Sequence, residues 1–114
     1  MTARRRTAPW QVWWADFTPQ VGREQAGERP AVIVGSPLAC GLPNGLVIVV
    51  PCTSADRGLP FHPTIDLDGR HGVAMCDQVK SISTDRLIRP HRARLAMNEI
   101  DAIKFALRQM IDVG

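Results

Sequence analysis

Short apolar runs, separated by segments rich in glycine and proline, follow one another along most of the chain and predict β-strands. WQVWWADF alternates, with Val12, Trp14 and Asp16 on one face of the predicted strand and Trp13, Ala15 and Phe17 on the other. The next two runs, RPAVIVG and LVIVVPCT, are continuous and β-branched, as is typical of strands buried on both faces.

Two further strands are predicted before the C-terminal region. TIDLDG alternates as a short strand, and HGVAMCDQVKSIS reads as one strand that breaks or bends near Cys76–Gln78, where polar residues interrupt the apolar pattern. The segments SPLACGLPNG and SADRGLPFHP have the composition of loops.

The last segment has helical periodicity, which predicts a helix from about Met97 to Val113 with a poorly specified N-terminal cap at residues 96–98. Its apolar positions recur at spacings of three and four: Ile100, Ile103, Leu107, Met110 and Ile111. About five short strands followed by one helix predict a mainly β, α+β domain, a small barrel with the helix packed on it.

Length and composition fit one globular domain. The chain has 114 residues, of which 45% are hydrophobic and 22% charged, and a net charge of +3 that permits a polyanionic partner without demanding one. We expect residues 1–9 to form a basic tail, with arginine at positions 4–6, and residues 10–114 to form the domain. Because no apolar run approaches the length of a membrane span or a signal sequence, the expected location is the cytoplasm.

The cysteines and histidines do not form a recognisable metal motif. Cys40, Cys52 and Cys76 are an odd number with no CxxC pair, so we expect reduced thiols. The three histidines have no zinc-ligand spacing relative to them. The sequence therefore predicts no metal and no cofactor.

Three polar stretches lie where predicted strands begin, end or break, and we expect them to meet at one end of the barrel. The first combines Glu24 and Gln25 with Arg29, which should be extended because Pro30 follows it. Pro51 ends a buried strand and is followed by Thr53 and Ser54, and the third stretch presents Asp77, Gln78 and Lys80. Such polar groups are costly inside a sheet unless they are paired.

These stretches resemble the MazF/PemK (Kid) toxins of bacterial toxin–antitoxin systems. The resemblance runs from about Trp10 to Asp112 and rests on four ordered blocks: GREQAGERPAVIV with the preceding DF and Pro19, VVPCTSADRGLPF, GVAMCDQVKSI and the terminal helix. It implies a small SH3-like β-barrel of the MazF/PemK/CcdB type that works as a homodimer.

The resemblance also implies an activity and partners. Such toxins are metal-independent, sequence-specific endoribonucleases that cut single-stranded RNA, chiefly mRNA with rRNA and tRNA as further candidates. Cleavage leaves a 2′,3′-cyclic phosphate and a 5′-hydroxyl. The cognate antitoxin is a DNA-binding protein whose disordered acidic tail covers the RNA groove.

Family roles carried onto this sequence give catalytic residues and RNA-binding residues. The catalytic positions fall on Glu24, Arg29 and Thr53. The remaining positions are expected to bind RNA: Gln25, Ser54, Arg57, Phe61, Asp77, Gln78 and Lys80. This chain has Arg23 where some members have a histidine and Met75 where some have an arginine, so a mechanism built on those two groups does not apply to it.

The chemistry of cleavage fits these residue types. Attack of a ribose 2′-hydroxyl on the adjacent phosphate builds negative charge on the phosphoryl oxygens, which a guanidinium such as that of Arg29 holds bidentately. The Thr53 hydroxyl can donate to a phosphate oxygen. Glu24 either accepts the 2′-hydroxyl proton or orients Arg29, and the sequence leaves both roles open.

Structural alternatives exist for most of these residues. Arg29 is also suited to a salt bridge with Glu24 or Glu28, and Thr53 and Ser54 to a turn. Asp77 is also suited to capping a loop amide. The tryptophans fit a core or a dimer surface, with base stacking as a further use. His62 fits a solvated loop or a position in the RNA groove. The basic stretch before the helix suits phosphate steering, an acidic antitoxin tail or a solvated face: Arg86, Arg89, Arg92 and Arg94.

Two functional alternatives come from other classes. A relative with the same barrel architecture poisons DNA gyrase without cutting nucleic acid, through residues at the end of its C-terminal helix. A non-catalytic barrel would bind RNA and leave it intact. The presence of both EQAGERP and PCTS favours the nuclease.

Overall fold

The computed structural model describes residues 6–18, 22 and 27–113. Two 3₁₀ turns, Cys76–Gln78 and Thr84–Arg86, flank the sixth strand of this part of the chain. The helices and strands are β1 (Gln11–Asp16), β2 (Glu28–Ile33), α1 (Pro37–Gly41), β3 (Leu46–Thr53), β4 (Thr64–Asp66), β5 (His71–Ala74), β6 (Lys80–Ser83), β7 (Leu87–Arg94) and α2 (Met97–Met110).

The strands form one antiparallel sheet in the order β4-β5-β3-β2-β1-β7, with β6 paired to β3 as well. Strand β3 changes partner along its length, because residues 46–49 pair with β6 whereas Cys52 and Thr53 pair with β5. Although β6 and β1 are not neighbours in the sheet, the Lys80 ammonium lies 5.4 Å from the centre of the Phe17 ring. The sheet therefore curls into a half-closed barrel, which confirms the predicted fold class.

The central strands are buried on both faces from Ala31 to Ile33 in β2 and from Val49 to Cys52 in β3, as their continuous apolar runs predict. Leu46 and Ile48, at the start of β3, are exposed. The inner face packs within the barrel and forms the inner core, which contains Trp13, Ala15, Phe17, Ala31, Ile33, Val47, Val49, Ile82 and Leu87. The other face is covered by the β4–β5 hairpin and by α2. It forms the outer core, which contains Val12, Val32, Val50, Cys52, Ile65, Leu67, Ala74, Cys76, Ala93, Ile103 and Ala106.

Helix α2 is fixed by its buried face and by Glu99 near its start. The Glu99 carboxylate accepts hydrogen bonds from the backbone N–H of Ala96 at 2.7 Å and of Asp66, in β4, at 2.6 Å. One acidic side chain thus satisfies a donor at the helix N-terminus and ties the helix to the hairpin. The helix ends at Met110, three residues earlier than predicted.

The β4–β5 hairpin turns through Asp68 and Gly69, both with positive φ, at 57° and 89°. Leu67 and Arg70 exchange backbone hydrogen bonds across these two residues, which defines a two-residue hairpin loop. A Cβ on Gly72 would lie 2.5 Å from a Leu67 methyl group, so the Leu67 side chain packs directly over Gly72 of β5.

Two elements differ from the sequence prediction. The basic stretch before α2 is strand β7, which the pattern hides because Pro90 interrupts it and few of its side chains are buried. A proline is tolerated there because β7 is the edge strand beside β1. The predicted loop SPLACGLPNG contains α1, whose N-cap Ser36 accepts from the Ala39 N–H and is followed by proline at the first helical position.

The break predicted within HGVAMCDQVKSIS is confirmed, since the Cys76–Gln78 turn separates β5 from β6. None of the three cysteines, all among the described residues, forms a disulfide. Burial raises the pKa of the Cys76 thiol to about 12 and raises that of Cys52 further, so both behave as small apolar core residues.

The predicted division at residue 9 stays a prediction, because most of the basic tail lies outside the described residues. No helix among residues 6–18 and 27–113 has the length and apolarity that a membrane crossing requires.

We expect Ile103→Ala to destabilise the protein by about 2–5 kcal/mol, because this side chain is fully buried between α2 and the sheet. The matched control is Phe105→Ala on the same helix, where the side chain is 65% exposed and the expected change is within about 0.5 kcal/mol. Chemical denaturation followed by circular dichroism measures both. Equal losses for the two variants would contradict the packing described for α2.

Candidate functional site

Four strand ends meet at one end of the barrel and place polar side chains beside the inner core. The polar residues are Arg29 at the start of β2, Thr53 at the end of β3 and Lys80 at the start of β6. They lie with the apolar Phe17, which follows β1, and we call this region the barrel mouth. Buried apolar side chains fill the strands behind it. The mouth is therefore where the barrel can hold a charged ligand without desolvating it completely.

The register of the sheet brings Arg29 and Thr53 together. Ala31 lies opposite Pro51 and Val32 opposite Val50 in the β2–β3 ladder. Continuing that register by two residues sets Arg29 opposite Thr53, and residues directly opposite in an antiparallel pair share a face. Both residues are half-buried.

The Thr53 hydroxyl is oriented by the chain that follows it. Its oxygen accepts the N–H of Ala55 at 3.2 Å. That bond leaves the hydroxyl hydrogen to donate to another acceptor. The predicted turn-forming role and the predicted phosphate-donating role of Thr53 are therefore compatible in one geometry.

The end of β1 is held by Arg86, from the predicted basic stretch. Its guanidinium donates to the carbonyl oxygens of Asp16, at 3.1 Å, and of Thr18. The Thr18 hydroxyl donates to the Asp16 carboxylate at 2.6 Å and is the main cause of the lowered pKa of that carboxyl. Arg86 thus stabilises the end of β1, where the β1–β2 loop begins, and is not a solvated side chain.

An open cleft of about 640 Å³ adjoins Arg29 and Thr53, between β1, β2 and β7 on one side and the β4–β5 hairpin on the other. We call it the outer cleft. Its lining mixes apolar and polar side chains, and its four arginines outnumber its two carboxylates, Glu28 and Asp68, so it is net cationic and suited to a phosphodiester. The basic and hydroxyl-bearing residues that the argument uses are Arg29, Thr53, Ser54, Arg70, His71, Arg89 and Arg92.

Trp14 forms one wall of this cleft with two residues of β7. The Arg89 guanidinium lies 5.2 Å from the centre of the Trp14 ring, and the His91 ring centre lies 5.0 Å from it. Burial lowers the pKa of His91, and its Nδ1 accepts the Ala93 N–H at 2.9 Å. The sequence named Trp14 and Arg89 without placing them here, because that placement depends on the β1–β7 pairing.

The other two tryptophans are structural. Trp13 is buried in the inner core, and Trp10 packs against the outer core with the Lys104 ammonium 5.6 Å from its ring centre. Of the three, Trp14 is the one on the cleft.

The hairpin side of the cleft carries a histidine–aspartate pair that sequence reasoning missed. Nε2 of His71 lies 3.1 Å from a carboxylate oxygen of Asp56. The other Asp56 oxygen accepts the Gly58 N–H at 2.8 Å, and this bond is the main cause of the lowered pKa of Asp56, followed by the bond to His71. The two residues are 15 positions apart in the sequence, so no local motif predicts the pair.

Asp77 engages another side chain instead of the loop amide that was considered for it. Its carboxylate lies 2.7 Å from Nε2 of His62, which is buried and not solvated as expected. Phe61 packs edge-on against the His62 ring with the centres 5.0 Å apart. The His62–Asp77 pair therefore joins the loop after β3 to the Cys76–Gln78 turn.

The remaining predicted RNA-binding residues that the structure describes lie on the turn before β6, at the start of β6 and on the loop after β3. Gln78 closes the turn before β6, with its amide nitrogen 3.5 Å from the Met75 sulfur. Lys80 lies over Phe17 at the mouth itself. Arg57 is exposed on the loop after β3. Glu24 and Gln25 lie outside the described residues, as does Arg23.

Among residues 6–18, 22 and 27–113, no group of three or more histidine, cysteine, aspartate or glutamate side chains is arranged to hold a metal ion. What the described residues do supply is a guanidinium, a hydroxyl and an imidazole around one cleft. Those groups bind phosphate, donate hydrogen bonds and transfer protons.

Comparison with known proteins identifies the family. Residues 8–111 match the model of the PemK-like, MazF-like toxins of type II toxin–antitoxin systems. The endoribonuclease toxin MazF of Escherichia coli K12 is 39% identical over 98 residues, which cover 86% of this chain and 87% of the relative.

Solved structures give the same result. MazF from Deinococcus radiodurans superposes with a TM-score of 0.80 at 29% identity, covering 93% of this chain and 96% of that one. A MazE–MazF structure from the same organism superposes with a TM-score of 0.75 at 27% identity, covering 96% and 99%. The chain belongs to the PemK-like, MazF-like family of toxins of type II toxin–antitoxin systems.

Proposed function

We propose that this protein is an endoribonuclease toxin that cleaves single-stranded RNA, chiefly mRNA, at the barrel mouth and is neutralised by a cognate antitoxin. The observation that carries the proposal is the β2–β3 register, which sets Arg29 opposite Thr53 beside the cationic outer cleft. The E. coli relative, an endoribonuclease toxin, supports the activity, and the MazE–MazF structure supports an antitoxin partner. The gyrase-poison alternative is not favoured by these relatives.

The proposed reaction is transesterification within the RNA. The ribose 2′-oxygen attacks the adjacent phosphorus and displaces the 5′-oxygen, which leaves a 2′,3′-cyclic phosphate and a 5′-hydroxyl. Arg29 holds the phosphoryl oxygens through two parallel N–H bonds as their charge grows, and Thr53 donates its hydroxyl hydrogen to one of them. Glu24 retains both candidate roles, accepting the 2′-hydroxyl proton or orienting Arg29.

The RNA on either side of the cut is proposed to follow the loops around the mouth. Phe61, Gln78 and Lys80 offer a ring, an amide and a cation to bases and phosphates. Ser54 and Arg57 begin the loop that leads to Phe61, and Gln25 belongs to the loop before β2. Asp77 contributes through His62, whose ring it fixes. The proposed setting is the cytoplasm, where mRNA is available.

We expect Arg29→Lys to fold and to bind RNA but to cleave it at least ~100-fold more slowly, because lysine keeps the charge and loses the planar fork. Single-turnover cleavage of an RNA with a mapped site measures the rate. Arg108→Lys, on the last turn of α2, is the matched control and keeps the parental rate. A parental rate for Arg29→Lys would return this residue to a strand-end salt bridge, which is worth ~0–1 kcal/mol.

Thr53→Ala tests the second group, because it removes the donor that is proposed to bind the phosphate. We expect a loss of single-turnover rate similar to that of Arg29→Lys with the melting temperature little changed. Thr53→Ser retains the hydroxyl and should retain most of the activity. Equal rates for Thr53→Ala and Thr53→Ser would contradict a role for the hydroxyl.

Metal independence is the third expectation, since the proposed chemistry uses only side chains. Cleavage by the purified protein should proceed at an unchanged rate in excess EDTA. Loss of cleavage in EDTA that magnesium restores would overturn this part of the proposal.

The proposed assembly is an isologous homodimer. Large apolar side chains remain exposed on the described surface, including Leu38 on α1, Ile48 on β3 and Phe105 on α2, as expected where a partner covers part of it. Light scattering at micromolar concentration should give twice the 12.6 kDa mass of one chain. A mass of one chain under those conditions would contradict the dimer.

A further inference from the structure

The reaction proposed above needs a group that takes the proton of the attacking 2′-hydroxyl, and the described cleft contains two imidazoles, His71 and His91. Arg29 is a poor proton carrier because a guanidinium stays protonated in proteins. Histidine is the side chain whose ordinary titration lies nearest neutral pH. Among the described residues the two histidines therefore compete for the role, and if one of them takes it Glu24 keeps its other candidate role, orienting Arg29.

His91 is not arranged to act as the base. Its Nδ1 accepts the Ala93 N–H, and its ring packs on Trp14 in the wall of the cleft. In the neutral ring the proton then resides on Nε2, which leaves neither nitrogen as an available base. Burial also lowers the pKa of His91.

His71 has the complementary arrangement. Asp56 accepts a hydrogen bond from Nε2 at 3.1 Å, and the lowered pKa of Asp56 keeps its carboxylate ionised. The proton of the neutral ring is then fixed on Nε2, so that Nδ1 carries the basic lone pair. The Gly58 N–H holds the other oxygen of Asp56, which fixes the carboxylate in turn. A base oriented by a third group is the arrangement that activates hydroxyl nucleophiles.

The register of the sheet brings His71 to the proposed scissile phosphate. Thr53 lies opposite Val73 in the β3–β5 ladder, and His71 is two residues from Val73 on the same strand. His71 is thus the diagonal neighbour of Thr53 on the face that Thr53 shares with Arg29. Diagonal neighbours lie about 7–8 Å apart, a gap that one phosphodiester group with its ribose hydroxyl can bridge.

We propose that His71 is the general base of this ribonuclease and that Asp56 is its positioning residue, an inference that rests on the proposed function. Nδ1 of His71 takes the proton of the 2′-hydroxyl while the 2′-oxygen bonds to phosphorus and the bond from phosphorus to the 5′-oxygen breaks. The departing 5′-oxygen takes a proton from water. The hydroxide so formed removes the proton from the imidazolium and restores the neutral ring.

Charged groups of both signs face His71 along the hairpin and across the cleft. The hairpin contributes Asp66, opposite His71 in the β4–β5 ladder, with Asp68 and Arg70. Strand β2 contributes Glu28 and Arg29, and β7 contributes Arg89 and Arg92, across the cleft.

The test is the pH dependence of single-turnover cleavage by the full chain with a mapped RNA. The parental rate should rise with pH, because only the neutral imidazole can accept the proton. His71→Gln should lower the rate by about 10²–10⁴-fold and abolish that rise, because the proton acceptor is gone. Affinity for the same RNA with a 2′-deoxy nucleotide at the cut should be unchanged. His91→Gln is the comparison variant: its rate can change because His91 lines the cleft, but the rise with pH should remain.

A second substrate separates base from acid. An RNA with sulfur in place of the 5′-bridging oxygen has a leaving group that needs no proton. The defect of His71→Gln should persist on this substrate, and recovery of the rate would assign His71 as the acid and overturn the proposal. Asp56→Asn should reduce kcat and leave KM unchanged.

The experiment distinguishes failure of the proposed function from failure of the role of His71. A parent protein that leaves RNA intact contradicts the proposed function itself. A parent that cleaves beside a His71→Gln variant of equal rate overturns only the role of His71.

Discussion

The pairing register between β2 and β3 is the constraint on which the candidate site depends. Pro30 restricts Arg29 to an extended conformation, and the ladder from Ile33 to Ala31 fixes what lies opposite it. A slip by one residue would turn the guanidinium to the other face of the sheet and separate it from Thr53. The apolar residues of both strands prevent that slip, because it would also exchange the inner and outer cores.

Burial on both faces explains why the chemistry is confined to the strand ends. The inner core fills the barrel and the outer core is closed by α2 and the hairpin. Charged groups within these strands would be costly, whereas the mouth and the outer cleft are open to water. The same β2–β3 pair thus supplies stability along its length and the proposed phosphate-binding groups at its end.

The sequence predicted the barrel, the long helix and the break at Cys76–Gln78, because each leaves a local signal of periodicity or composition. Strand β7 was missed because it contains Pro90. A proline is tolerated in a strand only at a sheet edge, and edge position is a property of the whole fold. The pattern placed Arg29 and Thr53 at strand ends, but their register requires the pairing of two distant segments.

Side-chain partners were harder to predict from the sequence than strand positions. Asp77 was recognised as a polar interruption, yet its bond to His62 spans 15 positions and depends on how the loop after β3 folds back. The pairing of His71 with Asp56 spans the same distance and depends on the hairpin turn at Asp68. Such contacts are set by tertiary geometry, which the hydrophobic pattern of the sequence does not predict.

The most direct test of the account is a crystal structure of the protein with an RNA that carries a 2′-deoxy nucleotide at the mapped cleavage site. The account predicts the scissile phosphate at the barrel mouth, with two guanidinium nitrogens of Arg29 and the Thr53 hydroxyl within hydrogen-bond distance of its oxygens. A scissile phosphate bound away from both residues, for example along α2, would contradict it.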